Sequence, residues 1–103
     1  MNAKIKTRWI EALRSGRYEQ TVGLLRGRYG FCALGVLCDI APGSHYWEKG
    51  YGGDWNFMSA ASGSRMFLAG LGLTLNEQET IGKMNDNDRA SFHAIADYIE
   101  VML

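Results

Sequence analysis

GFCALGVLCD, residues 30–39, is the longest apolar run in the chain, and its reading decides the fold. Alanine, leucine and cysteine dominate it, and Pro42-Gly43 closes it, so residues 31–41 read as a helix. A helix that is apolar all round is buried all round, which makes this one the spine of a small domain. Gly35 in its middle costs about 1 kcal/mol relative to alanine, so a second backbone or a ligand is expected close by. The run also holds both cysteines and ends on an acid, Asp39.

Outward from the spine, amphipathic helices are expected on either side. In residues 3–15, Ile5, Trp9, Ile10, Ala12 and Leu13 recur at helical spacing, and Gly16 reads as a stop. Thr74-Leu-Asn-Glu77 has the spacing of a capping box, which starts a helix running to about Met84, where Asn85-Asp86-Asn87-Asp88 breaks it. Ser91 caps a last helix with Phe92, Ile95, Ala96 and Ile99 on one face. Residues 64–73 read as a shorter helix with Ser64 as its cap. Residues 18–29 mix β-favouring side chains with Gly23 and Gly27, and extended structure, one short strand or a hairpin, is expected. Residues 43–64 read as a long loop or a hairpin turning at GYGGD. The fold class expected is α+β and mainly helical: one compact domain of four or five short helices with a short strand or hairpin.

The chain has 103 residues, 47% hydrophobic and 12% aromatic, which suffices for one core and argues against disorder. It has no apolar stretch of the roughly 18 residues a membrane span needs, and its charged first residues do not read as a secretory signal. A cytoplasmic location is expected, with both thiols reduced. On a helix Cys32 and Cys38 would lie about 120° apart around the axis, which forbids a bond between them. Net charge is zero but uneven: residues 1–28 carry seven basic residues against two acidic, and the rest carry four against nine. The basic segment can attract phosphate or an acidic surface, or pack beside the protein's own acidic half. Overall neutrality argues against a duplex-nucleic-acid binder.

Several residues invite a chemical reading. Cys32 near a helix N-terminus would have a lowered pKa, as many cysteine nucleophiles do, but a nucleophile also needs a base, and His45 and His93 are the only histidines. The other reading is a small core residue. Asp39 sits at the helix end that repels negative charge, so it needs a partner, either Arg14, Arg26 or Arg28, or a ligand. Asp86, Asp88 and Asp97 have part of a calcium-loop spacing, but Ala90 and Ser91 stand at its fifth and sixth positions, and no metal is expected. Tyr46, Trp47, Tyr51, Trp55 and Phe57 crowd one glycine-rich segment. Rings that stack on a base, beside arginines that hold phosphate, make a nucleotide site without a P-loop. Neither GxxxxGK[ST] nor a dinucleotide fingerprint is present, so no nucleotide cofactor is expected. The candidate ligand-binding set is Arg14, Tyr18, Gln20, Arg26, Arg28, Asp39, Trp47, Trp55, Asn85 and Asp86. Trp47 and Trp55 would stack on a base, the three arginines would hold phosphates, and Tyr18, Gln20, Asn85 and Asp86 would orient the ligand.

WIEALRSGRYEQ (9–20), FCALGVLCD (31–39) and MNDNDRASFHAIADYIE (84–100) together resemble a widespread group of small phage-encoded proteins. The pattern runs W-x2-ALRSG-x-Y-x-Q, then C-x-LGVLCD, then a leucine-asparagine-aspartate turn before SFxxIAxxIE, and covers about half the chain. Ala33 stands where a second cysteine is common, which weakens any role for paired thiols, and Met84 replaces the leucine before the turn. The resemblance implies a phage origin. By analogy with phage proteins that disarm host defence, it implies a homo-oligomeric sponge that sequesters a small nucleotide-derived immune signal without cleaving it. The alternatives are a Cys32-dependent enzyme that cleaves such a signal, and an inhibitor that docks on a host defence protein.

Overall fold

The apolar run at 30–39 lies at the centre of the molecule. A computed structural model describes residues 1–103 and contains five α-helices and one β-hairpin. In chain order these are α1 (Ala3–Arg14), α2 (Ala33–Ile40), β1 (His45–Lys49), β2 (Trp55–Ser59), α3 (Ser64–Gly70), α4 (Leu75–Asp86) and α5 (Phe92–Met102). The expected α+β, mainly helical class is therefore correct. The Cα radius of gyration is 12.5 Å, close to the roughly 13 Å of a folded unit this long. No helix is long and apolar enough to cross a membrane.

Each helix forms for a local reason and buries one face on α2 or its neighbours. The Asn2 side chain caps α1, accepting from the backbone N–H groups of Lys4 and Ile5. α1 then lays Trp9, Ile10, Ala12 and Leu13 against α2 and α5. Trp9 is fully buried, and its indole N–H donates to the Ala33 carbonyl at 2.9 Å, which satisfies the one polar atom it takes inside. Val36, Leu37 and Cys38 of α2 meet Ile81 of α4 and Ile95 and Ile99 of α5 in one contiguous core. The capping box on α4 is formed in both directions: Glu77 N–H donates to the Thr74 hydroxyl, and Thr74 N–H donates to the Glu77 carboxylate. Ser91 caps α5 through Ala94 N–H.

Gly35 has the close neighbour its position suggests, and that neighbour is backbone. A Cβ there would lie 1.8 Å from the Leu25 carbonyl oxygen. The same oxygen accepts from Cys32 N–H at 3.1 Å, so the 15–32 segment is locked across the first turn of α2.

Several boundaries differ from the sequence expectation, and α3 stops at Gly70 rather than at residue 73. Residues 18–29 form no strand. Phe31 instead bridges Gln20 on one side and Arg26 on the other, and the chain folds back on itself between them. The reversal passes through Gly23 at φ 81°, and single bridges replace a ladder. Ser64 does not cap α3; Gly63 occupies that position with φ 90°, and no side chain bonds the helix end. α4 continues past Met84 to Asp86, because Asn85 and Asp86 spend their side chains on other segments rather than on breaking their own helix.

The hairpin β1–β2 is antiparallel, with Lys49 opposite Trp55, Trp47 opposite Phe57 and His45 opposite Ser59. Those six side chains share one face of the ribbon. Phe57 carries that face onto Phe67 of α3, with ring centroids 4.8 Å apart.

Candidate functional site

Asp39 finds its partners within the chain, and neither is an arginine. The Tyr18 hydroxyl donates to one carboxylate oxygen at 2.6 Å, and the Trp47 indole N–H donates to the other at 2.9 Å. The expected ion pair with Arg14, Arg26 or Arg28 does not form; both ion pairs in the molecule belong to Arg14. Two neutral donors meet the acid where the α2 carbonyl end would otherwise leave it unfavourable. Burial, followed by the bond to Asp39, pushes the Tyr18 phenol up to about 12. The result is a clamp joining the segment after α1, the end of α2 and the start of the hairpin.

The clamp fixes Trp47, and Trp47 helps to fix Arg26. The Arg26 guanidinium carbon lies 4.1 Å from the Trp55 ring centroid, 5.1 Å from that of Phe31 and 5.6 Å from that of Trp47. Trp55 N–H donates to the Arg26 carbonyl at 3.2 Å, so hairpin and arginine are held together through backbone as well. A guanidinium stacked on rings is attracted by their π faces and keeps its N–H edge free. No carboxylate lies within ion-pair distance of Arg26, and no hydrogen bond occupies its donors.

Two more cations flank this arginine. Arg28 packs its stem along Gly53 at the hairpin tip, so that a Cβ on Gly53 would come within 3.1 Å of it, and its guanidinium lies 5.8 Å from the Tyr29 ring. Lys49 brings its ammonium 6.0 Å from the Trp55 ring, across the strand pair. Neither is paired with an acid, although Glu48 and Asp54 are neighbours in sequence. Tyr29, against Arg28, is 81% exposed, and Tyr51 at the hairpin tip is fully exposed. Arg26, Arg28, Lys49, Tyr29 and Trp55 thus make one basic, aromatic face.

The other candidate residues lie in separate clusters. Arg14 bonds Asp97 at 2.7 Å and Glu100 at 3.3 Å on α5, and both carboxylates raise its pKa further. Part of the basic N-terminal segment is therefore matched by the protein's own acidic half. Asn85 is 1% exposed and uses its whole amide: its oxygen accepts from Gln20 and from Ala33 N–H, and its nitrogen donates to Thr21 and Asp86. Asp86 also accepts from Gly23 N–H, and Gln20 donates to the Ala90 carbonyl. Gln20, Asn85 and Asp86 therefore tie the 15–32 segment to α4, and Trp47 is committed to Asp39 and the core. Of the candidate set, Arg26, Arg28 and Trp55 come together with free edges.

Lys49 and Tyr29 belong to the same face and are not among the candidates the sequence singles out. Lys49 had a usable signal: period-two alternation puts it on the Trp47 side of the strand. The exposure of Tyr29 had none.

The thiols are placed against nucleophilic chemistry. Cys32 is the N-cap of α2, and its sulfur accepts from Gly35 N–H at 3.4 Å. Burial nevertheless raises its pKa and outweighs that bond, which reverses the lowered value expected at a helix N-terminus. Cys38 is pushed up to about 12 by the same desolvation. No hydrogen bond joins either thiol to a histidine: His93 is exposed on α5, and His45 Nε2 sits 2.6 Å from the Ala41 carbonyl. No three His, Cys, Asp or Glu side chains come together in a metal-binding group, so Asp86, Asp88 and Asp97 do not form one.

Comparison with curated proteins gives no match, and comparison with solved structures gives none either. A family model does match, over residues 1–69, a span that holds α1, α2, the hairpin and all five residues of the basic aromatic face. The chain belongs to the family described as a domain of unknown function, DUF8296.

Proposed function

We propose that this protein is a binder rather than an enzyme, and that its basic aromatic face captures a nucleotide-derived anion. The observation that carries this reading is the Arg26 guanidinium, held by three rings with its donors unpaired. A planar guanidinium so placed is oriented for two parallel bonds to a phosphate, and little of its freedom remains to be lost on binding. Arg28 and Lys49 add charge, and Trp55 offers ring surface to a base. The buried, protonated thiols and the absence of a base beside them favour capture over cleavage.

In the setting that the phage resemblance implies, the ligand is a cyclic nucleotide or a cyclic ADP-ribose type of immune signal. The protein withdraws it in the cytoplasm of an infected bacterium. A homo-oligomer would enclose the ligand better than one open face can. The test is to incubate the purified protein with cyclic dinucleotides and cyclic ADP-ribose isomers, denature it by heat, and analyse what is released. Intact ligand supports sequestration, and an altered product supports the Cys32-dependent enzyme. Binding of none of them refutes the proposal. Arg26→Ala should weaken capture by about ten- to a hundred-fold, the worth of a charge-assisted hydrogen bond or two.

A further inference from the structure

The basic aromatic face is open. The cavities of the molecule lie along the outer side of α4, between α2, α3 and α4, and at the base of the hairpin. None is lined by Arg26, Arg28, Lys49 or Trp55. A small ligand normally buries most of its surface in a concavity. A strand of nucleic acid needs none, because it gains affinity from phosphates along a charged track and from bases on successive rings.

We infer that single-stranded nucleic acid is a further ligand of this face. The inference rests on the reading just given of Arg26 as a phosphate contact and Trp55 as a stacking surface. Three unpaired cations, Arg26, Arg28 and Lys49, surround Trp55 and the hairpin tip. Tyr29 stands exposed against Arg28 on the same face, and Tyr51 is exposed at the hairpin tip, beyond what the core uses. Cations alone would suit any polyanion, but the rings select one that carries planar bases free of a duplex stack. Duplex nucleic acid hides those bases, and three charges are few for holding its backbone.

The experiment measures fluorescence anisotropy of labelled oligothymidylate over a range of salt concentrations. Three phosphate contacts predict a log–log salt slope of about −2, or about a twenty-fold loss of affinity from about 50 to about 200 mM salt. The exposed variants Arg28→Ala and Lys49→Ala should each reduce the slope to about −1.4, and Lys83→Ala on α4 should leave it unchanged. Trp55→Ala should weaken binding about ten-fold with no change of slope. Absence of binding at about 50 mM salt would overturn the inference, as would equal binding of polyglutamate or of the hybrid duplex with oligoadenylate. Salt slopes indifferent to Arg28 and Lys49 would overturn it too. Cyclic dinucleotides run in parallel separate the two proposals. If they bind and oligothymidylate does not, the inference fails and the sequestration reading stands; the reverse result fails sequestration alone.

Discussion

Asn85 shows how one side chain can hold a surface it never reaches. Its amide satisfies the Ala33 N–H at the head of α2, the Thr21 carbonyl and the Gln20 amide, all from a position 1% exposed. Asn85→Ala leaves these groups without partners and should cost about 2–4 kcal/mol, read as a lowered urea midpoint. Asn85→Asp should do no better, since an oxygen in place of the nitrogen would face the Thr21 carbonyl and Asp86. Tyr18 and Cys38 add a dependence on alkali. Both are held protonated more tightly in the fold than in the open chain, Cys38 at about 12 against an ordinary 9.0 and Tyr18 at about 12 against 10.0. The unfolded chain therefore releases these protons first, and stability that is complete below about pH 9 should fall steadily toward pH 12. Tyr18→Phe should flatten the part of that fall between pH 10 and 12, as seen in urea midpoints measured across the range.

Among the elements, those that were legible in the sequence are the ones whose instructions are local. Thr74 with Glu77, Ser91 with Ala94, and the stripes of α1 and α5 each depend on residues three or four positions apart, and each formed where expected. Thr74→Ala should accordingly cost about 1 kcal/mol and lower the thermal midpoint by a few degrees without altering the fold. The 18–29 segment is less legible because its partners lie outside it: Phe31, Gly35 beneath Leu25, and Asn85 and Asp86 from α4. β-favouring residues there suggest extended backbone, but the segment is mostly bends, with single bridges at Gln20 and Arg26. Distant partners also extend α4 by two residues, since Asn85 and Asp86 look like helix breakers until those partners are known.

At the scale of the molecule, the candidate site was half legible. Residue chemistry singled out Arg26, Arg28 and Trp55, and folding gathers them. It could not show that Arg14 answers to Asp97 and Glu100, or that Asp39 answers to Tyr18 and Trp47. Charges in one chain exceed the charges left over after the chain has paired with itself, and the pairing is a property of the fold. Of the seven basic residues before position 29, Arg14 is paired on α5, and Lys6 reaches the Glu100 carbonyl at 3.4 Å. Lys4, Arg8, Arg17, Arg26 and Arg28 have no acid within ion-pair distance, and of these Arg26 and Arg28 lie on the aromatic face.

The reach of Asn85 across the chain bears on how far the family match can be treated as a module. Residues 1–69 carry every residue of the basic aromatic face, yet the amide that ties down the segment bearing Arg26 and Arg28 comes from outside that span. So do Ile81, Ile95 and Ile99, which complete the core that α1 and α2 share. A fragment ending at residue 69 would contain the whole candidate site and lack the means to shape it. Its amide NMR spectrum should show the narrow dispersion of an unfolded chain, and adding residues 70–103 as a separate peptide should restore the spread if the two halves can still find each other. Deletions in the last third of this protein would then abolish binding without touching a single contact to the ligand.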